Sequence, residues 1–231
     1  MNGMQSLMDA ITLVTNKRLV NLETNFNFMF VGRPHTGKSA LIRSLCSSLL
    51  LKPDGSPSHF SVLSPCFEGI FRHEHATKNI TGRTFVPPYD HYVLWEGQPD
   101  VLKNTKDVVD EFDMVFVMLE YAHGFIRIDE ALVDHLLQHD LEGDTHRVAF
   151  VLSKADEIVE RKMSAGKSKE QAVTEIREEI SRAFSSYAKY EGLAVFVVSG
   201  TYFLQIGYDE GLLSTRLFSA AATRLGISLD S

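Results

Sequence analysis

Gly32-Arg33-Pro34-His35-Thr36-Gly37-Lys38-Ser39 fits the pattern G-x-x-x-x-G-K-[ST], and its flanks decide the fold it belongs to. Before it, Phe26-Asn27-Phe28-Met29-Phe30-Val31 is apolar enough to be a buried strand. After it, Ala40, Leu41, Leu45 and Leu49 recur at helical spacing. Strand, glycine-bearing loop and helix in that order let backbone N–H groups surround the α- and β-phosphates of a nucleotide. The positive end of the following helix assists. The phosphate-binding residues are then Gly32, Arg33, Pro34, His35, Thr36, Gly37, Lys38, Ser39 and Ala40. Lys38 reaches the β/γ-phosphates, and the Ser39 hydroxyl ligates Mg²⁺. A glycine-containing surface turn is the competing reading.

Working outward, further strands are expected at 92–95, 113–119, 147–152 and 193–198, all near-continuous apolar runs of the kind that parallel strands covered on both faces require. Helical patterns fall between and after them, at 129–140, 168–190 and 210–225. This alternation predicts a doubly wound α/β fold, a mostly parallel sheet with helices on both faces and right-handed crossovers. A nucleotide then sits at the carboxyl ends of the strands. Residues 1–23 read as an N-terminal helical extension and 24–231 as the nucleotide-binding domain. Residues 52–90 read as loop-rich, because Pro53, Gly55, Pro57, Pro65, Gly69, Gly82, Pro87 and Pro88 interrupt regular structure. A second Gly-Lys-Ser, at Gly166-Lys167-Ser168, is a decoy: Arg161 stands where the earlier glycine belongs, and no strand precedes it.

The base is chosen elsewhere. Ser153-Lys154-Ala155-Asp156 follows an apolar strand and is a variant of the N/T-K-x-D guanine motif. A carboxylate at Asp156 accepts two hydrogen bonds from guanine N1–H and the exocyclic amine, a donor pair that adenine lacks. The stem of Lys154 lies over the base plane. The competing role for Asp156 is that of a helix cap. Ser199 and Gly200 follow the last strand, where a backbone contact to the guanine carbonyl belongs.

At this point the chain resembles a family. Its Gly-Arg-Pro-x-x-Gly-Lys-Ser is similar to the phosphate loop of translation-factor-class GTPases. Trp95 before an acidic residue resembles the Trp-Asp-x-Pro-Gly switch of interferon-inducible, immunity-related (dynamin-like) GTPases. Val197 to Leu204, Tyr208-Asp209 and Leu212-Leu213 are similar to that family's last strand, loop and helix. The resemblance implies a P-loop, Ras-like G domain that binds GTP and GDP with Mg²⁺. It also implies a homodimer or protein partner across the nucleotide face and frequent action at membranes.

The second switch departs from its D-x-x-G pattern within Val93-Leu94-Trp95-Glu96-Gly97-Gln98-Pro99. Aligned on Trp95, Glu96 takes the metal-side place, and Pro99 takes the glycine's place without an N–H to offer. Aligned on Gly97-Gln98, the sensing N–H and a water-orienting Gln98 survive, but Leu94 replaces the acid. The first alignment keeps the carboxylate and is preferred. For the first switch, Thr77 is the candidate to close over Mg²⁺, with Thr81 and Thr84 as rivals. The expectation is guanine-nucleotide binding with slow hydrolysis. A pseudo-GTPase interaction module and an ATP-using P-loop enzyme are the alternatives. His35 faces the β/γ-phosphate region. His73, Glu74 and His75 lack a third metal ligand and read as exposed loop residues.

Composition narrows the partners. The chain has 231 residues, 44% hydrophobic and 23% charged, which is ample for a buried core. A net charge of −7 argues against nucleic acid as a partner. Two cysteines, Cys46 and Cys66, suit a reducing compartment and a cytoplasmic location. No run is long and apolar enough to span a bilayer, and no signal peptide is visible. Peripheral membrane contact stays open.

Overall fold

A computed structural model describes residues 26–49, 72–77, 80–84, 92–99, 112–122, 125–139, 147–185, 193–199, 208–209, 212–213 and 216–217. Strand β1 (Phe26–Val31) lies inside a seven-stranded sheet with β2 (Arg72–Thr77), β3 (Ile80–Thr84), β4 (Tyr92–Gly97), β5 (Met114–Met118), β8 (Val148–Leu152) and β9 (Ala194–Val197). The order is β2-β3-β4-β1-β5-β8-β9. Strands β4, β1, β5, β8 and β9 run parallel. The hairpin β2–β3 adds an antiparallel edge. A separate two-stranded hairpin joins β6 (Glu120–Ala122) to β7 (Phe125–Arg127). The helices are α1 (Lys38–Leu49), α2 (Glu130–His139), α3 (Ala155–Ser164) and α4 (Lys169–Ser185).

The parallel strands are buried on both faces, so they need no alternation. β5 and β8 are buried at every residue. On one face Met29 and Val31 join Leu132, Val133 and Leu136 of α2, Ile158 of α3 and Ile176 of α4 in one core. Leu41, Ile42 and Leu45 of α1 are buried outside that cluster, as are Phe28 and Phe30, the alternate residues of β1. Phe30 stacks on its register partner Phe116, with ring centroids 4.8 Å apart. Burial of each such ring stabilises by roughly 1.5–3 kcal/mol. The fold is therefore the expected doubly wound α/β arrangement, and β1 delivers the phosphate loop to the carboxyl end of its centre.

One expectation changes. The interval 52–90 contains β2 and β3, so it is not loop throughout, and His73 and His75 stand on an edge strand with a register shift between them. The helix expected over 168–190 is present over Lys169–Ser185, and 186–190 lie outside the described residues. Of the helix expected over 210–225, residues 212–213 and 216–217 are helical. The N-terminal extension, Cys66 and Gly200 lie outside the described residues. Among the described residues, no helix is long and apolar enough to cross a membrane, and no group of three or more His, Cys, Asp or Glu is poised to hold a metal.

Candidate functional site

The phosphate loop is shaped by close approaches on three sides. Gly32 leaves β1 so near β5 that a Cβ there would sit 2.7 Å from Met118 Cβ, and its N–H donates to the Gly97 carbonyl of β4 at 3.3 Å. Thr36 folds the loop back: its hydroxyl donates to the Arg33 carbonyl at 2.9 Å. Two residues then adopt left-handed backbone, His35 at φ 64° and Gly37 at φ 88°. Such alternation turns successive N–H groups inward and makes an anion-binding concavity. For the exposed His35 side chain, this conformation costs about 1–2 kcal/mol. At Gly37 a side chain is barred twice, by φ and because a Cβ would run into the Ser153 hydroxyl. The Gly37 carbonyl accepts the Leu41 N–H at 2.9 Å, which starts α1 directly beneath the loop. Lys38 arches back over it and donates to the carbonyls of Gly32 at 2.7 Å and Arg33 at 2.8 Å. Burial pushes the Lys38 ammonium down from its usual range, and the charge of Glu96 pulls it partly back. Ser39 follows in the first turn of α1, half-buried.

The segment expected to choose the base is fastened to this loop. Ser153 is buried at the end of β8 and its hydroxyl donates to the Thr36 carbonyl. Ser153, expected from sequence on the guanine side, thus also braces the loop. A Cβ on Gly37 would also lie 3.7 Å from Lys154 Cγ, so the Lys154 stem runs beside the loop. Lys154 bridges to Ser199, Ala155 N–H donates to the Val198 carbonyl at 3.2 Å, and Val198 N–H donates to Leu152 at 2.9 Å. The two segments expected to meet guanine therefore lie side by side. The cap position of α3 is Lys154, with no side-chain capping bond, and Asp156 is the second helical residue. The competing reading of Asp156 as the cap is removed.

The altered switch also lies at the site. Glu96 pairs in register with Phe30, and Gly97 with Val31, the last residue before the loop. The register sets Glu96 two residues before the Gly32 end of the loop on the neighbouring strand, and its charge counters the lowering of Lys38. Trp95 alternates to the other face, where its indole N–H donates to Asn27 Oδ1 at 3.1 Å and its ring meets Phe112 edge-on. Gly97 is held between Val31 and Ile80. Gln98 is exposed and Pro99 is buried and helical. Thr77 ends β2 opposite Ile80, which itself stands opposite Gly97, so Thr77 is two strands from β4 at the nucleotide end. Thr81 stands directly opposite Glu96, and Thr84 opposite Val93 toward the far end.

Three links were not anticipated. Ser153 braces the loop. Arg33 pairs with Glu120 of the β6–β7 hairpin at 3.6 Å. Asp209, buried, joins Arg177 of α4. Each partner is remote in sequence, so no local pattern announces it.

No protein-family model matches the sequence, and no curated protein matches it significantly. Solved structures do match. Translation elongation factor SelB from Methanococcus maripaludis, in complex with the GTP analogue GppNHp, is 13% identical at a TM-score of 0.45. That match covers 85% of this chain, which spans about a third of SelB's length (34%). Toc33 from Arabidopsis thaliana, in complex with GDP and Mg²⁺, is 14% identical at a TM-score of 0.49, covering 96% of each chain. A dimerization-deficient mutant of Toc33 matches at 0.48 and 13% identity, over 96% of this chain and 93% of that one.

Proposed function

We propose that this chain is a guanine-nucleotide-binding protein that hydrolyses GTP slowly. The observation that carries the reading is the brace from Ser153 to Thr36, because it joins the base-choosing segment to a fully formed phosphate loop. A nucleotide held by the loop would meet Lys154, Asp156 and Ser199 at its other end.

In this reading the loop N–H groups and Lys38 bind the β- and γ-phosphates. Their negative charge would offset the burial that weakens the Lys38 ammonium. Asp156 accepts the guanine donor pair, and no described residue bonds its carboxylate. Ser39 and Glu96 offer hard oxygen atoms at one side of the loop, a donor set that suits Mg²⁺ with its retained waters. The ion would supply neutralisation of charge between the β- and γ-phosphates. Thr77 or its neighbour Thr81 would close over it.

Slow turnover rests on Pro99. It stands where a sensing N–H belongs and has none. Losing one positioned donor to developing charge costs about 2.7–4 kcal/mol, or roughly 10²–10³ in rate. Intrinsic rates in related chemistry already lie near ~10⁻⁴ s⁻¹.

Displacement of a fluorescent GTP analogue by GTP, GDP and ATP tests the base. Equal displacement by ATP would remove the guanine reading in favour of an ATP-using enzyme. Chromatographic measurement of GDP production, with Lys38→Ala as the blank, tests the rate. Fast turnover abolished by that variant would overturn the slow-hydrolysis part, whereas no turnover with intact binding would make the chain a pseudo-GTPase.

A further inference from the structure

Asp209 is a buried acid that the proposed binding chemistry does not use. Its side chain is 8% exposed, and both carboxylate oxygens are engaged. Oδ1 accepts from the Arg177 guanidinium at 2.7 Å, and Oδ2 accepts the Val197 N–H at 2.9 Å. The backbone repeats the contact, with Asp209 N–H donating to the Val197 carbonyl at 3.0 Å. The Asp209 carbonyl then accepts the Leu213 N–H at 2.8 Å, so one residue ties β9, α4 and the following helical turn together. Next to it, the Lys169 ammonium lies 5.3 Å from the centre of the Tyr208 ring.

The position of this clamp matters. The chain leaves β9 at Val197, passes Val198 and Ser199 beside Lys154 and Ala155, and is back at Val197 when it reaches Asp209. Fastening Val197 to Asp209 thus fixes the root of the Ser199 wall. The same helix also holds the neighbouring segment. Lys162 of α3 donates to Glu175 at 3.0 Å and Glu179 at 2.8 Å, both on α4, and α3 begins with the residues that carry Asp156. One helix therefore reaches the supports of both segments, through Arg177 to Asp209 and through Glu175 and Glu179 to Lys162.

We propose that α4 braces the joined Asp156 and Ser199 segments, which already touch through Lys154 and Ser199, and that Arg177 and Asp209 are positioning residues for base selectivity. The proposal rests on the guanine reading above. It places selectivity partly in residues that touch no nucleotide. Phosphate binding, by contrast, depends on the loop, Ser153 and Lys38, none of which the clamp touches.

The test compares the full chain with Arg177→Ala, Arg177→Lys and Asp209→Asn, titrating GDP and ADP against a fluorescent GDP analogue. Removing one charge-assisted hydrogen bond should lower GDP affinity about tenfold. ADP, held by the phosphate loop alone, should keep its wild-type affinity, so the GDP-over-ADP ratio falls. Arg177→Lys should recover part of that ratio, because an ammonium can still donate to Asp209. Arg177 is half-exposed, so its variants decide the matter even where Asp209→Asn fails to fold. GDP and ADP affinities falling together in Arg177→Ala would show general damage and overturn the proposal. An unchanged ratio in a folded Arg177→Ala would overturn it as well, while leaving the guanine reading intact. A wild-type chain that binds GDP and ADP equally would remove the guanine reading itself, and this inference with it.

Discussion

Gly-Lys-Ser occurs twice in this molecule, at 37–39 and at 166–168, and the two copies share more than letters. Both glycines are left-handed, at φ 88° and 89°, and both tripeptides lead into a helix. Their surroundings differ. Gly37 is pressed against Ser153 and Lys154, whereas a Cβ on Gly166 would meet nothing within 4 Å. Lys38 turns back onto the carbonyls of its own loop, whereas Lys167 reaches across to Glu175 on α4. Ser168 builds a reciprocal cap: its Oγ accepts the Gln171 N–H at 3.2 Å, and Gln171 Oε1 accepts the Ser168 N–H at 2.9 Å. The second copy ends α3 and begins α4. The first copy follows a buried strand and is crowded by β5 and the end of β8, whereas the second is a turn between two helices. A phosphate loop is a tripeptide plus the strands that crowd it.

Paired substitutions would break or sharpen this contrast. The largest difference is expected for Gly37→Ala against Gly166→Ala. The first should abolish fluorescent-nucleotide binding, because the methyl displaces Ser153 and with it the Thr36 brace. The second should bind normally and lose only about 1–2 kcal/mol in urea unfolding, the cost of a left-handed alanine. Nucleotide binding by Gly37→Ala at wild-type strength would undo the phosphate-loop assignment.

Next come the lysines. Lys38→Ala should weaken GDP binding roughly 10–100-fold, the range for charge-assisted hydrogen bonds. Lys167→Ala should leave titration curves unchanged and shift stability by less than about 1 kcal/mol, as an exposed pair does. Equal binding losses in the two would mean that Lys38 acts through the fold and not through phosphate.

For the serines the effects separate by assay. Ser39→Ala should remove the dependence of GDP affinity on Mg²⁺ while the thermal midpoint of the nucleotide-free protein stays put. Ser168→Ala should lower stability by about 1 kcal/mol through loss of the cap, with the Mg²⁺ dependence retained.

The smallest effect concerns pH. Burial alone would lower the Lys162 ammonium, but its bonds to Glu179 and Glu175 outweigh this and raise it. Glu175 is held below the usual carboxylate range by Lys167 and Lys162. A lowered acid stabilises above its unfolded value of 4.5 and loses that contribution as pH falls through the lowered one. The stability gap between wild type and Lys162→Met should therefore narrow below about pH 4.5 in acid titrations followed by circular dichroism. A gap that widens on acidification would exclude the pairing as its source.

What the sequence made legible follows from how local each signal is. The five parallel strands show themselves because burial on both faces makes them continuous apolar runs. Phe26 to Val31 followed by the glycine loop is such a run, with its purpose attached. The hairpin β2–β3 was hidden because an edge strand such as Arg72–Thr77 carries no apolar period, and because prolines around it suggested loop. Those prolines lie outside both strands, and Gly82 is the one breaker within them. Hairpin β6–β7 is only three residues per strand, too short for any periodicity. At the site, Lys38, Asp156 and Ser199 could be put forward as candidates because a motif names them. Ser153 was readable only as a motif letter. Its role depends on where β8 ends relative to the loop, which is a matter of tertiary structure. The pairing of Asp209 with Arg177, 32 residues apart, was invisible for the same reason.

The hydrogen bond from Ser153 to Thr36 joins residues 117 apart in the chain. A nascent chain that stops short of β8 already holds the whole eight-residue phosphate motif, yet its loop lacks the contact that sets its curvature. In the proposed reading, the site is therefore complete only once the strand beyond β5 has docked. A nucleotide that binds only that docked state would add its binding energy to the attachment of β8, two strands away from where the motif lies.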